Sequence, residues 1–161
     1  MDIQTFYSIF SAVCFTLVGL WWTVVKSKSE WLKSDTTRNL AGGVYLSFLI
    51  PALMGLFAQI GGENRLIWRT TFVIAALFGI YSSFRLISKT HTASSLGPFS
   101  RHRWLVIALY SLVFLIGLLP GIASLLGLQG LQAEAILLCL LILIAHGLTW
   151  EFMTQPPEEM P

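Results

Sequence analysis

Two side chains could perform proton or ligand chemistry inside the most apolar part of this sequence. Between Trp104 and Trp150, only Glu134 and His146 carry an acid, a base or an imidazole. An ionisable group buried in a membrane is costly, so it is a candidate functional residue by default. An imidazole at depth could relay protons, ligate a haem iron or line a pore. Each role needs a partner side chain at a similar depth, and the other two histidines fall in a loop.

His146 lies only four residues before Trp150, which is about 6 Å along a helix. Tryptophan prefers the headgroup level of a bilayer, so His146 is predicted to lie near the inner interface. We interpret it as a functional or packing polar residue and favour packing, with a hydrogen bond to a neighbouring hydroxyl or carbonyl. Glu134 is interpreted as a first-turn acid that interacts with the free N–H groups of its helix.

A basic connection follows the third apolar segment and could contact anionic lipid headgroups. Each cation near an anionic leaflet contributes about 1 kcal/mol. The candidate contacts are Arg85, Lys89, Arg101 and Arg103. The simpler interpretation, which we favour, is that these residues only set the topology.

No motif in the sequence predicts a metal, cofactor or nucleotide site. It contains no phosphate-binding glycine loop, no His-Glu-x-x-His, no Gly-x-Ser-x-Gly and no Cys-x-x-Cys. Cys14 and Cys139 both fall in apolar segments and are interpreted as small buried hydrophobes. We therefore predict no catalytic residues, no metal, no cofactor and no nucleic-acid partner, and we favour a non-enzymatic protein.

The composition requires that membrane helices position these side chains. Of the 161 residues, 55% are apolar and 11% are charged, whereas a soluble domain is about 25% charged. The apolar residues form blocks of about 20, the length that crosses a hydrocarbon core of about 30 Å. We predict an all-α integral membrane protein, a bundle of five transmembrane helices that forms one domain over residues 1–154. The predicted spans are about 3–25, 39–60, 66–87, 104–126 and 131–150, followed by a disordered cytoplasmic tail at 155–161.

The placement of Lys and Arg predicts the orientation of the bundle. Eight of the ten basic residues flank the first and third connections, and only Arg65 and Arg69 lie on the other side. Because cytoplasmic loops carry the excess of Lys and Arg, the N-terminus is predicted outside and the C-terminus in the cytoplasm. The expected location is a plasma membrane or another energy-coupling membrane.

Several residues are predicted at the membrane interfaces or at helix contacts. Trp31 and Leu32 could lie on the membrane surface, and Arg69 could extend to the headgroups. Small residues four apart share a helix face and allow close approach of another helix. The predicted helix-packing residues are Gly43 and Ser47, Ala75 and Gly79, and Gly117 and Gly121, with further small residues at Ser8, Ser11, Ala12 and Gly19 in the first span.

Three functions fit these features. The leading hypothesis is an accessory, assembly or scaffold subunit in the lipid bilayer that binds another membrane protein or itself through helix contacts. The alternative is a channel or transporter component for a small neutral or anionic solute, suggested by the helix breaks at Pro51 and Pro120. A further alternative is an interfacial lipid-modifying enzyme, which would need the loop at 88–103 to fold back over the end of the fifth span. Its residues would be His91, His102, His146 and Glu151.

Overall fold

The computed structural model describes residues 2–61, 64–89, 103–125 and 127–154, without the side chains of residues 87–89 and Arg103. Every regular element in these ranges is helical, which confirms the predicted all-α class for this part of the chain. The elements are α1 (Ile3–Ser27), a 3-10 turn (Ser29–Leu32), α2 (Asp35–Gly61), α3 (Arg65–Lys89), α4 (Arg103–Leu118), α5 (Gly121–Ser124) and α6 (Gly130–Thr154).

Consecutive long helices pack antiparallel. The indole Nε1 of Trp21 in α1 donates to the carbonyl of Ala41 in α2 (3.0 Å), and Gly79 in α3 lies against the ring of Tyr110 in α4. The last helix, α6, returns across the bundle to pack against α2 and α4 and contacts α1 much less. Helices α2, α3, α4 and α6 therefore form a ring, and α1 packs on its outside, mainly against α2.

Four helices of the described chain are long and apolar enough to cross a membrane. They are α1, α2, the segment Arg65–Leu86 of α3, and α6. The apolar stretch of α4, Trp104–Leu118, is shorter. The 16 residues of α4 rise about 24 Å, less than a hydrocarbon core of about 30 Å. Four helices thus support a membrane bundle, and a fifth span stays a prediction.

The predicted fourth span, 104–126, is not one continuous helix. Helix α4 ends at Leu118, and Pro120 lacks the backbone N–H that would continue its hydrogen-bond ladder. Gly121 therefore begins the separate helix α5, and a Cβ at this position would meet nothing within 4 Å. Gly117 instead lies against Val73 of α3, so the two predicted packing residues have different surroundings, and a shared packing face stays a prediction.

Arg69 of α3 stabilises the end of α4. Its Nε donates to the carbonyl oxygen of Gly117 (2.9 Å), and its Nη2 donates to that of Leu118 (2.6 Å). The last carbonyls of a helix have no partner within the helix, and a basic side chain satisfies them well. Arg69 therefore serves the end of α4, and its extension to the lipid headgroups stays a prediction.

The core has two halves, which we call the Glu134 end and the Trp31 end after one residue in each. At the Glu134 end, aromatic rings from α1 and α3 meet edge to face. The ring of Phe72 lies 6.2 Å from that of Tyr7 and 5.8 Å from that of Trp68, between centroids. Such edge contacts add about 0.5–1.5 kcal/mol to the burial of the rings. Apart from Glu134, this half is lined mainly by apolar side chains.

At the Trp31 end, the 3-10 turn carries Trp31 into the bundle. The indole stacks on Trp21 with centroids 6.1 Å apart and meets the edge of Phe152 at 4.7 Å. Thr37 donates its hydroxyl to the carbonyl of Trp31 and fixes the turn. Trp31 is only 8% exposed, so its predicted position on the membrane surface is wrong. The neighbouring Leu32 is 44% exposed.

Candidate functional site

Glu134 is the most unusual polar residue in the described chain. It lies in the second turn of α6 and is completely buried. Neither of its carboxyl oxygens has a hydrogen-bond partner among the described residues. Almost all buried polar groups in folded proteins are hydrogen-bonded, so such an exception requires an explanation. Glu134 is therefore the candidate functional site.

Tyr7 of α1 and the adjacent turns of α6 lie near Glu134. The hydroxyl of Tyr7 in α1 donates to the carbonyl of Leu131 (2.8 Å), one turn before Glu134. This bond connects α1 to the start of α6. The phenolic proton of Tyr7 is therefore donated to a backbone carbonyl and not to Glu134. Leu138, one turn after Glu134 on the same helix face, is also completely buried. The carboxyl thus shares its helix face with core side chains.

The interpretation of Glu134 as an acid that stabilises a helix start is wrong. Helix α6 begins at Gly130, and its first turn contains no acid. Glu134 is instead the first member of the buried face of α6, which continues through Leu138, Leu141 and Ala145. The three- and four-residue spacing of these positions is the only feature of the sequence that indicates this buried face. It was hidden because the other faces of α6 are also apolar.

A carboxyl in this position can perform a limited chemistry. An isolated carboxylate is very costly in apolar surroundings, so the site favours a protonated acid or a bound cation. In membrane proteins, a buried ionisable residue is commonly part of a proton or ion route. Among the described residues, no group of three or more His, Cys, Asp or Glu is placed to hold a metal ion.

His146 is far from Glu134 and on the outside of the bundle. It follows Glu134 by 12 residues on the same helix, which corresponds to about 18 Å. Its side chain is exposed, Nδ1 lies 2.9 Å from the carbonyl oxygen of Ile142 one turn earlier, and the ring meets the edge of Phe48 at 5.5 Å. Glu134 and His146 are therefore not parts of one site.

The basic residues predicted to contact headgroups are only partly described. Arg85 lies in the last turns of α3 and lines a groove with Arg38 of α2. Lys89 and Arg103 end α3 and begin α4, but their side chains are outside the described residues. Arg101 also falls outside them, as do His91 and His102 of the enzyme hypothesis. The tail at 155–161 is outside them as well.

Most of the predicted packing residues make contacts within this chain. A Cβ at Gly79 would lie 2.6 Å from the ring of Tyr110, and one at Gly117 would lie 3.0 Å from Val73. Gly43 faces Leu86. Two further members, Ser47 and Ala75, are partly buried; Ser47 lines a cavity of about 50 Å³ between the helices, and Ala75 packs on the core. These positions are thus occupied by neighbouring helices of the same bundle.

The two cysteines differ in exposure. Cys14 of α1 is buried, whereas Cys139 of α6 is exposed, and both are free thiols. The interpretation of both as buried hydrophobes therefore fails for Cys139, which lies on the outer face of α6.

The chain matches no protein-family model, no curated protein and no solved structure.

We expect Glu134→Leu to leave the free energy of unfolding unchanged or raise it by about 1–3 kcal/mol, because it removes unsatisfied buried oxygens at similar volume. Thermal unfolding of the purified chain in a mild detergent measures this. The matched control, Tyr7→Phe, should lower the free energy by about 1 kcal/mol through loss of its hydrogen bond. A clear destabilisation by Glu134→Leu would show that the carboxyl has a partner, such as an ordered water.

Proposed function

We propose that the chain is an integral membrane protein of five spans that acts as an accessory or assembly subunit and binds a helix of another membrane protein. The observation that carries this proposal is an exposed face of α1 lined by small side chains. These residues, which we call the α1 stripe, are Thr5, Ser8, Ala12, Thr16, Gly19 and Thr23.

The geometry of the α1 stripe suits close helix contact. Its members follow one another at intervals of three or four residues, so they share one helix face. A Cβ added at Gly19 would meet nothing within 4 Å. The hydroxyls of Thr16 and Thr23 donate to carbonyls of α1 itself (2.9 and 2.6 Å). Such a face lets two backbones approach, which is how helices associate where lipid removes the hydrophobic driving force.

Large, exposed apolar side chains lie next to the α1 stripe on the same helix. Ile9, Val13 and Leu20 are 55%, 51% and 57% exposed. The small residues on the other helices are not available in this way, because Gly43, Gly79 and Gly117 already face neighbouring helices of this chain. The α1 stripe therefore provides small residues for an external helix, which supports an association function.

The membrane part of the proposal is supported by the outer surface of the bundle. Large apolar side chains are widely exposed on the described helices, and Leu66, Leu143 and Trp150 are 75%, 66% and 71% exposed. Soluble monomers seldom expose contiguous apolar patches of more than a few hundred Å². A lipid environment explains this surface, and the distribution of Lys and Arg favours an outside N-terminus.

A second candidate function, a channel or transporter component, is favoured by Glu134. A buried carboxyl in a membrane-spanning helix suits protons or small cations, whereas the sequence suggested a neutral or anionic solute. This function needs neither the α1 stripe nor a partner protein.

We expect five spans to place the chain termini on opposite sides of the membrane. Single cysteines at Asp2, Ser29 and Thr154, in a chain without Cys14 and Cys139, are labelled with an impermeant maleimide. Asp2→Cys should react from outside, and Ser29→Cys and Thr154→Cys only after permeabilisation. If Thr154→Cys instead reacts from the same side as Asp2→Cys, α4 does not span and the bundle has four spans.

We expect the double variant Ala12→Leu and Gly19→Leu to reduce the recovered amount of a partner membrane protein by about tenfold or more. The reason is that larger side chains on the α1 stripe hold the two helix backbones apart. Recovery of the partner by affinity purification in a mild detergent measures the loss. Gly42→Leu is the matched control, since it adds the same side chain at another open helix position. Equal recovery with the double variant would reject the proposal, and a partner consisting only of a second copy would make the chain a homo-oligomer instead.

If the second candidate is correct, liposomes containing the chain should dissipate a proton gradient, and Glu134→Gln should reduce this flux by about tenfold or more. His146→Gln is the control, because His146 is exposed and far from Glu134. A flux no greater than that of empty liposomes would exclude proton transport by the isolated chain.

A further inference from the structure

A groove between α2 and α3 at the Trp31 end has the composition of a lipid site. It encloses about 390 Å³ between the first turns of α2 and the last turns of α3. The side chains that the argument uses are Arg38, Asn39, Leu46, Phe78, Arg85 and Leu86.

The absence of a side chain at Gly42 keeps this groove open. A Cβ at Gly42 would meet nothing within 4 Å, whereas one at the adjacent Gly43 would lie 2.9 Å from Leu86. Gly43 therefore brings α3 close to α2, and Gly42 leaves space beside that contact. A larger side chain at position 42 would fill the groove without displacing a neighbour.

The groove changes from charged to apolar along the helices. Arg38 and Arg85 both line it. Leu46 lies eight residues after Arg38, and Phe78 lies seven residues before Arg85. These intervals correspond to about 12 and 10 Å along the helix axes. A ligand that fits this gradient has an anionic head at one end and a hydrocarbon chain at the other.

The chemistry of the charged end suits a phosphate. A guanidinium presents five N–H donors in a planar fork that matches phosphate oxygens. Arg38 uses Nη2 to bind Asp35 at 2.6 Å, in a pair with side chains 58% and 83% exposed. An exposed pair of this kind is weak, so a phosphate can share or replace it. Asn39 adds a neutral amide beside the two arginines.

We propose that this groove binds one anionic phospholipid, with its phosphate between Arg38 and Arg85 and one acyl chain along Leu46 and Phe78. The site is separate from the α1 stripe and from Glu134, so it does not depend on either proposed function. Phosphatidylglycerol is the simplest lipid of this class, and phosphatidylcholine is the zwitterionic comparison.

Native mass spectrometry of the full chain, released from detergent after titration with each lipid, tests the proposal. We expect phosphatidylglycerol to bind at least tenfold more tightly than phosphatidylcholine. Because each cation near an anionic headgroup contributes about 1 kcal/mol, Arg85→Gln should weaken binding about fivefold, and Arg38→Gln with Arg85→Gln about 30-fold. Gly42→Leu should weaken it at least tenfold with the charges intact.

Two control variants separate the groove from general charge and bulk. Arg65→Gln removes a cation from the opposite end of α3, and Gly19→Leu adds bulk at the open glycine of α1. Both should bind phosphatidylglycerol within twofold of the unaltered chain. Equal affinity for the two lipids, an equal loss in Arg65→Gln, or no loss in Gly42→Leu would each overturn the proposal. Displacement of the lipid by millimolar inorganic phosphate would also overturn it, because the site would then be a free-anion site.

Discussion

The path of the chain from α4 to α6 depends on the end of α4, which two hydrogen bonds from Arg69 stabilise. A helix that stops in apolar surroundings leaves carbonyl oxygens without partners, and each costs free energy unless a donor reaches it. Arg69 supplies donors to Gly117 and Leu118. The chain can therefore turn at Pro120, form α5 and begin α6 at Gly130. A Cβ at Gly130 would lie 3.2 Å from Pro120 and 3.3 Å from Trp68, so the start of α6 is fixed closely against α3.

This start determines the residue that α6 directs into the bundle. With α6 beginning at Gly130, the buried face contains Glu134 together with Leu138 and Leu141. A different rotation of α6 would turn the carboxyl toward the outer surface, which the membrane proposal places in lipid and which is equally unfavourable for a charge. The bundle retains, at the Glu134 end, an acid without a hydrogen-bond partner among the described residues. Stability is commonly given up in this way where a residue has a function, which makes Glu134 the residue of greatest interest.

The glycines show how one residue type serves opposite purposes. Gly79 and Gly117 allow neighbouring helices to approach, because Tyr110 and Val73 occupy the space that a side chain would need. Gly19 and Gly42 have open space at the same position, and Gly42 lines the groove between α2 and α3. We propose a protein helix as the occupant at Gly19 and a lipid as the occupant beside Gly42. Both uses follow from the close contact that a missing Cβ permits.

The sequence by itself determined the class of this protein, because apolar blocks of about 20 residues with few charges favour long helices in a bundle. Four of these blocks form helices of that length. Only the tertiary structure decided which faces point inward. Helices that are apolar on every side carry no amphipathic signal, so neither the burial of Glu134 nor the exposure of Cys139 could be read from α6. The partners of Arg69 and Trp31 were equally hidden, since they come from segments distant in sequence or from a turn whose direction depends on packing.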